Sequence, residues 1–171
     1  MIMTASSAII HAPLQSIDRN ERVIYMGTFS KSLAPGLRMA YMVLPSWLLD
    51  RYNELFARYK SAVPRMIQHV MALFMSGGHW EKHLRKISIS NKKKHDLLVH
   101  AIQKEMGDKV RILGHNAGLH VLIEFIDGKN QEVMVERAAV HGVKVSTTCQ
   151  YWHRQENVQQ NLIIMGFGVL T

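Results

Sequence analysis

Cysteine is all but absent: Cys149 stands alone among 171 residues. A single thiol cannot close an internal disulfide, which removes cross-links as a source of stability and favours a reducing cytoplasm as the compartment. Long apolar runs are missing too. None approaches the roughly 20 residues needed to cross a bilayer, so no membrane partner is expected. Met1 to His11 carries no basic n-region and no signal-peptide core. There is no internal repeat and no low-complexity tract. Acidic side chains are the remaining shortage, 13 Asp and Glu against 21 Lys and Arg, for a formal net charge of +8.

What is present is ordinary for a folded chain. Hydrophobic residues make up 47% and charged residues 20%, enough for a sizeable core and unlike a disordered sequence. The positive balance invites a nucleic-acid reading, yet the basic residues are spread from Arg19 to Arg154. The one dense run, Asn91-Lys92-Lys93-Lys94-His95, lies in a helical pattern without a groove-reading motif and is read as a solvated face. The same charge suits anionic ligands such as phosphates and carboxylates.

Periodicity orders the elements. Met1 to Asn20 reads as loop, with Pro13 and Asp18-Arg19-Asn20 as turn material. Val23 to Met26 and Arg38 to Leu44 are short apolar strands, expected in a sheet buried on both faces. Ser46 is the expected N-cap of a helix carrying Trp47, Leu48, Tyr52, Leu55, Phe56 and Tyr59 on one side. Pro64 opens a second helix that Gly77-Gly78 stops, and a long helix runs from about Trp80 to Met106. Its stripe is Trp80, Leu84, Ile87, Leu98 and Ile102, interrupted by Asn91. Beyond Gly107-Asp108 the period changes. Val110 to Leu113 is a strand. Leu119, Val121, Ile123 and Phe125 alternate with polar or outward positions, as in a half-buried strand. Asp127-Gly128 is a turn, Gln131 to His141 a helix ended by Gly142, and Val143 to Val145 and Asn161 to Phe167 the last strands.

One segment stands out, Gly27-Thr28-Phe29-Ser30-Lys31-Ser32-Leu33-Ala34-Pro35-Gly36-Leu37-Arg38. It places a lysine and an arginine seven residues apart in a small-residue loop between two strands. An amine that can condense with an aldehyde, beside a guanidinium fork that can hold a phosphate at two points, suits an anionic cofactor bearing a carbonyl.

This segment resembles the cofactor-lysine motif of fold-type I pyridoxal-phosphate enzymes, the aspartate aminotransferase superfamily. The resemblance is closest to the aminotransferase-like domain of MocR-type regulators of the GntR family, and next to aminoadipate-type aminotransferases. Pro13-Leu14-Gln15-Ser16-Ile17-Asp18, Ala117-Gly118-Leu119-His120, Gly142-Val143-Lys144-Val145 and Met165-Gly166-Phe167-Gly168 match further family segments in the right order. The implied fold class is α/β: residues 1–45 the end of the large cofactor-binding domain, 46–106 connecting helices, and 107–171 the small C-terminal α+β domain. The implied cofactor is pyridoxal 5'-phosphate. Lys31 would form the internal aldimine and then move the substrate Cα proton. Arg38 would bind the phosphate, Thr28 would offer it a hydroxyl, and Ser30 would lie near the ring or phosphate.

Departures from the family are as informative. Relatives carry a Gly-rich phosphate turn, a stacking aromatic, an Asn and a pyridine-binding Asp upstream of the lysine. Here thirty residues precede Lys31 and hold none of these. The winged helix-turn-helix of a MocR-type regulator is not in this sequence either, so contact with DNA is expected only through such an attached domain. The arginine that grips a substrate carboxylate before the closing Gly-Phe is Ile164, and a family tyrosine near a basic pair is Asn91. The expectation is therefore the C-terminal part of a larger protein. In the intact parent it would transfer an amino group from an amino acid to a 2-oxo acid. The alternatives are an effector-sensing domain and an inert remnant that keeps a dimer surface. Turnover by this chain alone is left open. A homodimer is expected, and strands short of partners should self-associate.

Simpler readings stand beside these. Lys31 is otherwise a surface lysine, Arg38 a salt-bridge residue, and Thr28 a strand-end hydroxyl bonded to backbone. His79 and His83 share a helix face but complete no zinc motif, so no metal site is expected. His120 reads as structural, Cys149 as unreactive, and Met66, Met71 and Met75 as core packing.

Overall fold

The computed structural model describes residues 12–59, 61–114 and 118–168. The expectations for Met1 to His11 and for Ala117 lie outside these residues. The chain divides into two compact units, one up to Ile87 and one from Ser88.

The first unit begins with a short helix α1 (Leu14–Ile17) inside the segment expected to be loop. Asp18 then makes the turn, its carboxylate accepting from the backbone N–H groups of Asn20 (2.9 Å), Arg22 (2.6 Å) and Val23 (2.7 Å). Strands β1 (Tyr25–Thr28) and β2 (Ala40–Val43) pair antiparallel, with Tyr25 opposite Val43 and Thr28 opposite Ala40. The expectation of a sheet buried on both faces is corrected here. Among the described residues the two strands pair only with each other, and every residue of β2 is exposed. Apolar content says what a strand seeks to bury, and not whether a cover exists within the same chain.

Helix α2 (Ser46–Phe56) follows Pro45. Ser46 is not its cap: it is the first helical residue and donates its hydroxyl to Glu21 Oε1 at 3.0 Å. The apolar stripe of this helix faces outward, with Trp47, Tyr52, Leu55 and Phe56 all exposed. Pro64 starts α3 (Arg65–Ser76), where its missing N–H costs nothing. Gly77 donates back to the Leu73 carbonyl, and Gly78 takes a positive φ of 69° to leave the helix. Of the three methionines expected in the core, only Met71 is buried. It packs with Phe29 and Met39, flanked by Leu33, Val63, Ile67 and Trp80.

Helix α4 (His79–Met106) begins in the first unit and continues through the second. The second unit holds a four-stranded antiparallel sheet of order β3-β4-β6-β5, from β3 (Val110–Leu113), β4 (His120–Phe125), β5 (Ser146–Thr147) and β6 (Leu162–Gly166). β5 replaces the strand expected over 143–145, and Val145 just before it is buried in the core. Helix α5 (Gln131–Val140) is capped by Asn130, whose side chain accepts from the Glu132 N–H at 2.8 Å. Ile102, Val121, Ile123, Phe125, Ile163 and Phe167 make the core, so the alternation along β4 is the one its sequence shows. The basic run on α4 is not one solvated face. Lys92 and Lys93 are exposed, Lys94 is half-buried, and His95 is buried edge-on to Phe167 at 5.5 Å.

Candidate functional site

The lysine segment forms a loop between β1 and β2 that is tied shut at its base. Thr28 pairs with Ala40, and the Phe29 N–H donates to the Met39 carbonyl at 3.0 Å. Phe29 and Met39 are both buried, so the loop is anchored in the core at the two points where it leaves the strands. Between them the chain turns tightly, with the N–H groups of Ser32 (3.2 Å) and Leu33 (2.8 Å) both donating to the Phe29 carbonyl. Leu33 packs on the same cluster. Lys31 is left exposed at the crest of the turn.

Pro35–Leu37 forms a single 3-10 turn that delivers Arg38. Arg38 is exposed and held at φ 47°, ψ 35°, a left-handed conformation that side chains with a Cβ disfavour. Among the described residues no carboxylate lies within ion-pair distance of Lys31 or Arg38. Thr28 and Ser30 are brought together, their hydroxyl oxygens 3.1 Å apart. Thr28 Oγ1 also accepts from the Ser30 N–H at 3.2 Å and lies 3.3 Å from the Met39 carbonyl. One anchored loop thus carries an amine, a guanidinium and two hydroxyls.

Sequence reasoning missed one residue here. Helical spacing pairs His83 only with His79. Instead, His83 Nε2 lies 2.9 Å from the Ser32 carbonyl, 51 positions away in sequence. A carbonyl only accepts, so Nε2 carries the hydrogen. His79 stacks on Phe74, with ring centroids 5.9 Å apart. Nothing in the local pattern of α4 could have signalled a partner so distant. Other singled-out residues lie elsewhere in the fold. Ile164 sits half-buried on β6, opposite Leu122 and Ser146. His120 is exposed, and Cys149 accepts from the buried Gln131 amide at 3.2 Å. No described helix is long and apolar enough to cross a membrane.

The uncharacterized HTH-type transcriptional regulator YdeL of Bacillus subtilis is 42% identical over 132 residues, which cover 77% of this chain and 28% of that protein. The probable rhizopine catabolism regulatory protein MocR of Rhizobium meliloti is 29% identical, over 91% of this chain and 31% of its own. The chain thus spans less than a third of either regulator's length. The crystal structure of Pyrococcus horikoshii kynurenine aminotransferase, in complex with PMP and KYN as substrates and KYA as products, is 27% identical. It superposes with a TM-score of 0.77 over 90% of this chain and 38% of that one. Residues 3–155 match aminotransferase class I and II, and the chain belongs to that family.

Proposed function

We propose that this chain carries the cofactor lysine of an aminotransferase-like domain that binds pyridoxal 5'-phosphate and serves a transcription regulator as its sensor. The observation that carries this reading is the loop itself: Lys31 and Arg38 are exposed, with no ion-pair partner among the described residues, on a turn anchored in the core by Phe29 and Met39. When bound, pyridoxal phosphate supplies an aldehyde and an electron-withdrawing ring. Lys31 Nζ would hold the aldehyde end, and its amine would be the group to move a proton at a substrate Cα. The Arg38 guanidinium would hold the phosphate. The Thr28 hydroxyl has one proton, which the loop already uses toward Ser30 Oγ or the Met39 carbonyl. With Thr28 donating to Ser30, the Ser30 O–H is the better placed of the two to reach the phosphate.

Residue 164 favours a sensor over a transaminase. Ile164 offers no guanidinium for a substrate carboxylate, which weakens selection and turnover of amino acids. The likeness to the regulators YdeL and MocR supports the same choice. A transaminase is the second reading, favoured by the likeness to the kynurenine enzyme. In this proposal residues 1–45 close the large domain, 46–106 connect, and 107–171 form the small domain. The ligand is an amino acid or 2-oxo acid, the assembly a cytoplasmic homodimer, and DNA is met through a separate winged-helix domain.

The test is an absorbance titration with pyridoxal phosphate, then borohydride reduction and peptide mapping. A reduced adduct on Lys31 is expected, absent in Lys31→Ala and about tenfold weaker in Arg38→Ala. A ligand-dependent spectral shift without amino-group exchange across an amino-acid panel identifies the sensor, and exchange identifies the transaminase. Labelling that ignores Lys31 sinks both.

A further inference from the structure

We propose that His83 is a positioning residue that latches the Lys31 turn to α4 through the Ser32 carbonyl. The proposal rests on the reading of Lys31 as the cofactor lysine.

The turn is held at both ends by one face of one helix. Trp80 and His83 lie one helical turn apart on α4, so their side chains share a face. Trp80 meets Phe29 edge-on, with ring centroids 5.4 Å apart and planes at 66°. His83 donates from Nε2 to the Ser32 carbonyl at 2.9 Å. Phe29 and Ser32 bracket Lys31, so α4 meets a side-chain ring before the lysine and a backbone carbonyl after it. The imidazole is itself fixed between rings, 6.3 Å from Trp80 and 6.1 Å from Phe74.

The consequence is entropic and geometric. Lys31 has a long, flexible stem on an exposed turn, and every backbone state open to that turn spreads the positions Nζ visits. The Phe29 carbonyl already gathers the Ser32 and Leu33 N–H groups, which closes the turn on itself. Pinning the Ser32 carbonyl removes the remaining freedom of the peptide that follows. His83 therefore touches no ligand, yet sets where the amine starts from.

Three variants of the full chain separate a latch from mere packing. His83→Gln carries an amide N–H as many bonds from Cα as Nε2, so it can still reach the carbonyl. His83→Asn places its N–H one bond short, and His83→Ala has none. The readouts are hydrogen exchange in the peptide covering residues 29–33 and the apparent dissociation constant for pyridoxal phosphate by absorbance. Circular dichroism checks the fold. Ala and Asn should speed exchange and weaken cofactor binding about three- to tenfold, and Gln should restore both. If the exchange pattern holds while no variant, nor the parent chain, bonds the cofactor at Lys31, the latch stands and the cofactor reading fails. Exchange unchanged in Ala, or Gln behaving as Ala does, overturns the latch.

Discussion

Gly27 leaves room for a ring at the entry to the loop. A Cβ there would run into the Tyr41 ring, because that ring lies across the glycine from the facing strand. The ring also touches Phe29, at 5.5 Å between centroids. Gly27→Ala should therefore push Tyr41 off Phe29 and cost about 1–2 kcal/mol in urea unfolding. In a Tyr41→Ala background the same change should cost much less. Equal costs in both backgrounds would rule out the steric account. At Arg38, replacement by glycine trades left-handed strain against a more flexible unfolded chain, so stability should move by less than about 1 kcal/mol. Its cofactor affinity should nonetheless fall as it does in Arg38→Ala. Asp18 is a pH-dependent turn. The Asn20 N–H, with those of Val23 and Arg22, holds its carboxyl below the ordinary value of 3.8. A lowered folded pKa stabilises the turn above the unfolded value and loses that as pH falls through the folded one. The protection of the Arg22 and Val23 N–H groups from hydrogen exchange, relative to an unstructured chain at the same pH, should fall in that acid range in the parent chain, and already at neutral pH in Asp18→Asn.

The elements differ in how they are held. The second unit's sheet and α5 are joined by a polar centre at Gln131, which is fully buried. Its carbonyl oxygen accepts from the Thr148 N–H at 2.7 Å, and its amide donates toward Cys149, Gln159 and Gln160. Gln131→Ala strands a buried N–H and empties the site, for an expected loss of about 2–4 kcal/mol, read as a lowered urea midpoint at unchanged slope. A loss below about 1 kcal/mol would mean that water replaces the network. Helix α2 is the opposite case. Its rings touch one another, Tyr52 to Phe56 at 5.0 Å, and not a core. Helix α4 does most for the site: one face brings Trp80 and His83 to the lysine turn, and further along it Ile102 enters the second core.

At the scale of the whole molecule the two units are unequally finished. The second buries a contiguous apolar core, whereas the first leaves Met26, Met42, Trp47, Leu55, Met66, Val70 and Leu73 exposed. Exposed apolar surface of this extent, beside two strands that pair only with each other among the described residues, favours association. Light scattering should show a dimer or larger species at micromolar concentration, and association should weaken in a variant carrying Met26→Lys and Met42→Lys. A monomer at all concentrations would refute this.

Much of this protein was legible in its residues. The loop that carries Lys31 and Arg38 between two strands, the turn glycines, the β4 alternation and the start of α3 at Pro64 are local, and local chemistry writes them directly. The burial of apolar strands was not, since a strand's own residues cannot say what lies against it. Nor was His83, whose partner is fixed only when α4 packs beside the loop. By itself the sequence determined which groups can do chemistry, a primary amine and a guanidinium on one loop. Only the tertiary structure decided what steadies them, because long-range packing, and not local pattern, brings Trp80 and His83 to either side of Lys31.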